Sequence, residues 1–248
     1  MTTAYVILFL AALWAGIQNA LAGGGTFITL PALMLTGMSA LAANITSTIA
    51  LFPGQVTSSW GGRGHVAGAG GLSFRALVVI SLAGGILGAI LLLVTPSSIF
   101  QHLVPWLVLF ATSVFAWGSF MPRKAERPPV LNAVGAGVAQ FGIAVYGGYF
   151  GGGIGFLMLA ALTAAGLAIR NASATKNVLA GVMNASAVLI FVFSPQVHWL
   201  QAAIACAGAA IGGVLGGMMV SRVNQNVLRV AAVLIGIALT VGLFLRAP

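Results

Sequence analysis

Long apolar segments separated by short polar connectors fill almost the whole chain. The longest cover residues 4–22, 42–60, 74–94, 98–120, 130–150, 172–194, 199–220 and 226–245. Each is about as long as the ~20 residues with which a helix crosses the hydrocarbon core of a bilayer. The pattern therefore predicts an all-α, polytopic integral membrane bundle of about eight spans.

Two runs of consecutive glycines interrupt this pattern, at Gly23, Gly24 and Gly25 and again at Gly151, Gly152 and Gly153. After the first run, the apolar segment from Thr26 to Leu35 has a helical length of only ~15 Å, too short for a core of ~30 Å. We therefore expect a half-helix or a re-entrant piece. A loosened backbone in a membrane is tolerated only where protein or a water-filled cavity surrounds it.

The two halves of the chain share small-residue landmarks in the same order. The glycine runs correspond to each other, and further matches join Ala43, Thr46 and Ser47 to Ala172, Thr175 and Lys176, and Gly84, Gly85 and Gly88 to Gly212, Gly213 and Gly216. We predict an internal duplication, with repeats 1–125 and 126–248 forming one membrane domain and the first helix of each interrupted by glycine or re-entrant. Whether the repeats are parallel or inverted stays open.

Composition and charge exclude a soluble protein, because 60% of the residues are hydrophobic and only 4% are charged. Ten Lys and Arg residues face one acid, Glu126. These cations are dispersed, without a basic patch that would suggest nucleic acid, so we interpret them as topology signals and contacts with anionic headgroups. Residues 61–73 and 121–129 fall on one side, predicted to be cytoplasmic, whereas the second-half cations do not fit simple alternation of the spans: Arg170, Lys176, Arg222 and Arg229.

Other segments offer little chemistry. An Ala-x-Ala-like string ends the first apolar segment, but no Lys or Arg precedes it, so we predict a retained helix rather than a cleaved signal. The lone cysteine, Cys206, excludes an intrachain disulfide and a zinc site of several cysteines. No metal, cofactor or catalytic role is predicted for His65, His102 or His198.

The glycine interruptions are the predicted functional centre. Amides freed at the start of a half-helix carry the positive end of its dipole, which suits an anion. Uncharged polar residues accompany both interruptions, and one cation, Lys176, accompanies the second. The candidate substrate ligands are Gly23, Gly24, Gly25, Thr26, Asn44, Thr46, Ser47, Gly151, Gly152, Gly153, Thr175, Lys176 and Asn177.

Each of these features also has a purely structural interpretation. Glycines let helices pack closely, and polar side chains form hydrogen bonds between helices. Lys176 can extend its ammonium to the interface. The occurrence of the features in both halves favours the functional interpretation, and the absence of Asp and Glu from every apolar segment excludes carboxylate proton relays and carboxylate cation sites.

The strings AGGGTFITLPALMLTG and AANITST, and later GGYFGGGIGFLMLAALTAAGL and ASATKN, resemble the two halves of the sulfite exporter TauE/SafE family over essentially the whole chain. The resemblance implies a helical membrane bundle that moves sulfite, sulfoacetate or related organosulfonates. Its motif falls on Gly23, Gly24, Gly25, Pro31, Ala43, Thr46 and Ser47, and on Gly151, Gly152, Gly153, Ala172 and Thr175. The second copy departs from the pattern, with Ala160 and Ala161 where a proline is expected and Lys176 in place of the serine.

Together these features predict a secondary transporter or exporter of a small anion, in the cell membrane of a bacterial-type cell, with a mid-membrane site between the two interruptions. One repeat would rock against the other, with Pro53 and Gly54 as a hinge. Two alternatives stay open: a passive anion channel, and a membrane-embedded sulfur relay that uses Cys206. An enzyme is not expected, because no nucleophile and base form a pair. The oligomeric state, including a homo-oligomer, also stays open.

Overall fold

The computed structural model describes residues 2–21, 24–120, 129–219 and 225–246, and these residues are almost entirely helical. The helices are α1 (Thr2–Leu21), α2 (Thr26–Met34), α3 (Ala40–Gly62), α4 (Phe74–Val94), α5 (Ser97–Phe120), α6 (Ala133–Tyr149), α7 (Ile154–Ala164), α8 (Ile169–Phe191), α9 (Trp199–Met219) and α10 (Gln225–Arg246). A short 3-10 helix, Arg63–His65, follows α3.

The apolar segments become helices with ends close to those predicted, and polar caps fix several of the boundaries. Ser73 begins α4 by accepting a hydrogen bond from the Ala76 amide, and Asn132 begins α6 in the same way with the Gly135 amide. Pro53 lies inside α3, which continues through it. By length and composition, four described helices can cross a membrane, namely α4, α5, α8 and the Trp199–Gly216 part of α9.

Contacts between loops define two ends of the bundle. At one end, which we call the basic end, the Gly70 amide donates to the Ala165 carbonyl at 2.9 Å and the Val130 amide to Ala164 at 2.8 Å. The start of α4, the start of α6 and the end of α7 therefore lie together. At the opposite end, a cavity is lined by the start of α3, the α4–α5 turn and the α8–α9 loop.

The interrupted helices enter from opposite ends. From the basic end, α6 runs parallel to α4, with Gly84 against Phe141 and Gly88 against Val145. From the opposite end, α1 runs parallel to α9, with Gly208 against Phe9 and Gly212 against Leu13. After each interruption, the chain folds back to the end from which it came. Helix α2 returns to the opposite end, and α7 returns to the basic end. The first five and last five helices thus follow the same plan in inverted directions.

The two sets of helices interlock instead of forming separate lobes. The most extensive contacts pair α1 with α9 and α4 with α6, and α3 crosses α8. When α1–α5 are matched in order with α6–α10, the α1–α9 contact corresponds to the α6–α4 contact, and the α3–α8 contact corresponds to itself. Gly37 and Gly166, at the ends of α2 and α7, share a φ of +93°. These matches support the predicted duplication, which we retain as a proposal.

Re-entry explains the cations that did not fit simple alternation. Because the α6–α7 hairpin returns to the basic end, α8 begins there, and Arg170 joins Arg63 and Arg75. Arg229 lies near the start of α10, which runs antiparallel to α5 with Gly236 against Thr112. Arg123, Lys124, Glu126, Arg127 and Arg222 lie outside the described residues.

Candidate functional site

The first interruption, which we call break 1, is the stretch from Leu21 to Thr26 between α1 and α2. Gly23 lies outside the described residues, Gly24 has a φ of +87°, and Gly25 precedes the half-buried first residue of α2, Thr26. The Gly25 amide donates to the Asn19 side-chain oxygen at 2.9 Å. One of the amides that we expected to be free for a ligand therefore already has a partner, in the preceding helix α1.

Hydrogen bonds also occupy the side chains beside break 1. The Thr29 hydroxyl donates to the Gly25 carbonyl at 3.2 Å, and the Thr29 and Ser47 hydroxyl oxygens are 2.6 Å apart. Both residues are buried. Because Thr29 gives its proton to Gly25, the Ser47 hydroxyl can donate to Thr29. Ser47 thus ties α3 to the first half-helix.

The second interruption, break 2, is the stretch from Tyr149 to Ile154 between α6 and α7. Gly151 and Gly153 have φ values of +81° and +74°, and Gly153 is the residue before α7. Asn44 of α3, only 1% exposed, donates from its side-chain nitrogen to the Tyr149 carbonyl at 3.0 Å. Unlike break 1, break 2 is therefore held by the other half of the chain.

Lys176 reaches the first turn of the second half-helix. A Cβ atom built at Gly155 would lie 3.7 Å from Lys176 Nζ. Lys176 is half-buried on α8, followed by the half-buried Asn177. Lys176 corresponds to the buried Ser47 of the first half. The second half thus has a cation at this position, beside the positive end of the α7 dipole.

Two predicted ligands hold loops of the opposite half. The Thr175 hydroxyl accepts from the Ala67 amide at 3.0 Å and lies 3.4 Å from the Ala67 carbonyl. The corresponding Thr46 hydroxyl accepts from the His198 amide at 3.4 Å. Both threonines are fully buried. Thr175 thus joins α8 to a connecting loop at one end of the bundle, and Thr46 joins α3 to a loop at the other. A ligand role for the two threonines stays a prediction.

An aromatic cluster that sequence reasoning missed lies between the two half-helices. The Phe115 ring of α5 is 5.9 Å from Phe27 of α2 and 4.7 Å from Phe156 of α7, edge to face in both pairs. A Cβ atom on Gly24 would approach the Phe115 ring to 3.0 Å. The signal available in the sequence was a phenylalanine two or three residues after each triple glycine.

An amide pair marks the crossing of α3 and α8. Asn184 donates a hydrogen bond to Gln55, and these two residues occupy corresponding positions when the halves are aligned on Thr46 and Thr175. Cys206 is half-buried on α9 and packs against the apolar core. Within the described part of the chain, no group of three or more His, Cys, Asp or Glu side chains comes close enough to hold a metal ion.

Comparisons with known proteins agree with the helical architecture. The sequence model of the family described as "Sulfite exporter TauE/SafE" matches residues 8–243. A probable membrane transporter protein of Sinorhizobium sp. is 30% identical over 95% of this chain and 90% of its own. The probable membrane transporter protein YfcA of Escherichia coli K12 is 27% identical over 92% and 85%. No solved structure shows significant similarity. The prediction of a polytopic helical membrane bundle is confirmed.

Proposed function

The chain belongs to the sulfite exporter TauE/SafE family, and we propose that it carries a small oxyanion, sulfite or an organosulfonate, through a site at break 2. Family and relatives indicate a multi-pass membrane transporter. The substrate, the site and the mechanism are the proposed parts.

The position of Lys176 carries the proposal. An ammonium beside the start of α7 brings two positive charges together, the cation and the helix dipole, and an anion stabilises both. The sequence has a single acidic residue, Glu126, which belongs to none of the described helices, so the charge of this region favours an anionic ligand over a cationic one. A bound oxyanion fits the charge of this site.

The distribution of cations supports export. Positive residues favour the cytoplasmic side of a membrane, so the basic end faces the cytoplasm. There, the cations raise the local concentration of anions. An inside-negative potential of 100 mV favours expulsion of one negative charge by ~2.3 kcal/mol.

The aromatic cluster favours a carrier over the passive anion channel. Phe27, Phe115 and Phe156 fill the space between the first turns of α2 and α7, so an anion that passes there requires these rings to separate. Rocking of one half against the other would separate them. A sulfur relay is disfavoured because Cys206 packs among apolar side chains.

Efflux of radiolabelled sulfite from proteoliposomes, with the membrane potential clamped by potassium and valinomycin, tests the proposal. We expect saturable efflux that accelerates with an inside-negative potential. Lys176→Gln should reduce efflux by about a hundredfold, because it removes an interaction with a charged group in a site of low dielectric constant.

Arg170→Gln is the matched control, since it removes an exposed cation from the start of the same helix. We expect it to change efflux by less than about threefold, the effect of a solvent-screened charge. If efflux does not respond to the membrane potential and added sulfoacetate does not inhibit it, oxyanion transport is refuted. Equal effects of the two substitutions would refute the assigned role of Lys176.

A further inference from the structure

The opposite end of the bundle contains a cavity of 450 Å³ to which both halves contribute. Its walls come from Leu41 at the start of α3, the α4–α5 turn and the α8–α9 loop. The polar lining residues are uncharged: Thr95, Ser97, Ser194 and Gln196. The other seven of the eleven lining residues are apolar, so the cavity offers a few hydroxyl and amide groups on a largely apolar wall that carries no charge.

Tyr149 connects this cavity to break 2. Its hydroxyl donates to Thr95 on the cavity wall at 3.3 Å, while Thr95 donates to the Leu91 carbonyl. Its ring packs against the buried Phe100 at a centroid distance of 5.8 Å. Its carbonyl accepts the hydrogen bond from Asn44. One residue thus contacts the cavity with its side chain and ends α6 at the break with its backbone.

The difference in charge between the basic end and the lining of the cavity fits a path with a direction. A cation close to an anion slows its dissociation, whereas neutral hydroxyl and amide donors replace part of its hydration without holding it strongly. Arg63, Arg75 and Arg170 belong to the basic end, and the lining of the cavity is neutral. Such a surface suits the release of a small oxyanion.

We propose that this cavity is the extracytoplasmic release site for the transported oxyanion, and that Tyr149 separates it from break 2. The assignment rests on the proposed function. It names a second, weaker binding position on the same path, with Ser97 and Ser194 on its wall. Movement of Tyr149 away from Thr95 opens the connection.

Single cysteines in a Cys206→Ser background test the location of the path. Ser97→Cys and Ser194→Cys are each treated in detergent with the anionic reagent 2-sulfonatoethyl methanethiosulfonate, and mass spectrometry confirms complete reaction. After reconstitution we expect sulfite efflux to fall by at least about tenfold and to recover with dithiothreitol. Ser98→Cys is the matched control, because Ser98 is exposed on the same turn and does not line the cavity.

Each outcome has a distinct meaning. Unchanged efflux after complete modification of both Ser97→Cys and Ser194→Cys overturns the release site and leaves the proposed function intact. An equal loss for modified Ser98→Cys also overturns it, because the effect would not depend on the cavity. Absence of sulfite transport in the unmodified Cys206→Ser protein, when the wild-type protein also fails to transport it, refutes the proposed function instead.

A double-mutant cycle tests the role of Tyr149. Tyr149→Phe and Thr95→Val remove the same hydrogen bond, so we expect both to change the efflux rate in the same direction and the double variant to match the single ones. Additive effects would show that the two side chains act independently and would overturn the gating contact.

Discussion

Breaks 1 and 2 have the same backbone plan but different surroundings. At break 1, the Gly25 amide donates to Asn19, and the Thr29 and Ser47 hydroxyls occupy the other polar groups close to Gly25. At break 2, Asn44 comes from the other half and Lys176 lies beside the first turn of α7. One backbone plan thus has two different side-chain environments: break 1 joins α1, α2 and α3, and we propose that break 2 presents a charge to a ligand.

Exchanging the residues that distinguish the two breaks should have the largest effect. Ser47 is 1% exposed and bonded to Thr29, so Ser47→Lys buries a charge without a partner. We expect a loss of ~3–5 kcal/mol of folding stability, which would leave little folded protein. Lys176→Ser should fold normally and lose sulfite efflux. Size-exclusion chromatography after heating in detergent measures the first result.

Ser47→Ala is the control for this exchange, because it removes one hydrogen bond and should cost only ~1 kcal/mol. If Ser47→Lys has the thermal stability of the wild-type protein, break 1 has room for a cation and the contrast between the breaks is wrong.

Alanine at two glycines with similar backbone angles should separate backbone strain from crowding. Gly24 and Gly151 have φ values of +87° and +81°, so alanine at either costs ~1–2 kcal/mol in the left-handed region. At Gly24 the added Cβ atom also approaches Phe115 to 3.0 Å, whereas at Gly151 the nearest atom is the Gly147 carbonyl oxygen at 3.4 Å. We expect Gly24→Ala to lose a further ~1–3 kcal/mol from overpacking.

Unfolding by titration with sodium dodecyl sulfate compares the two glycine variants. Adding Phe115→Leu should restore part of the stability of Gly24→Ala and none of that of Gly151→Ala. Equal losses in the two single variants would place Phe115 away from Gly24 and separate the aromatic cluster from break 1.

Much of this architecture could be predicted from the chain, because apolar length determines membrane helices and glycine interrupts them. The proximity of Lys176 to the second glycine run depends on the return of α7, but the helix ends follow from local sequence. The direction of the repeats does not, because a break in a helix looks the same whether the chain crosses the membrane or turns back. The partners of Thr46 and Thr175 are loops of the opposite half, and contacts of such long range leave no periodic signal.

The asparagine that holds each break gives a smaller difference between the breaks. At break 1 it comes from the same half of the chain, and at break 2 from the other half. Asn19→Ala removes a hydrogen bond within one hairpin, from the Gly25 amide to the Asn19 side-chain oxygen, whereas Asn44→Ala detaches α3 from the Tyr149 carbonyl. Each should cost ~1 kcal/mol of local stability. Only Asn44→Ala should increase hydrogen exchange in both halves, around residues 40–47 and 150–157. Exchange confined to one half in both variants would argue against coupling through Asn44.

The smallest expected effect concerns the two threonines that hold loops. Thr175 makes two contacts with Ala67, at 3.0 and 3.4 Å, and Thr46 makes one with His198, at 3.4 Å. Valine keeps the shape and removes the hydroxyl, so Thr175→Val should accelerate exchange of the Ala67 amide by about fivefold, corresponding to ~1 kcal/mol. Thr46→Val should accelerate exchange of the His198 amide by less. Because Thr175 fastens the basic end and Thr46 the opposite end, the first variant should loosen the loop between α3 and α4 and the second the loop beside the cavity. If Thr46→Val instead has the larger effect, the tighter contact lies at the end where release is proposed, and the contrast drawn from these distances is wrong.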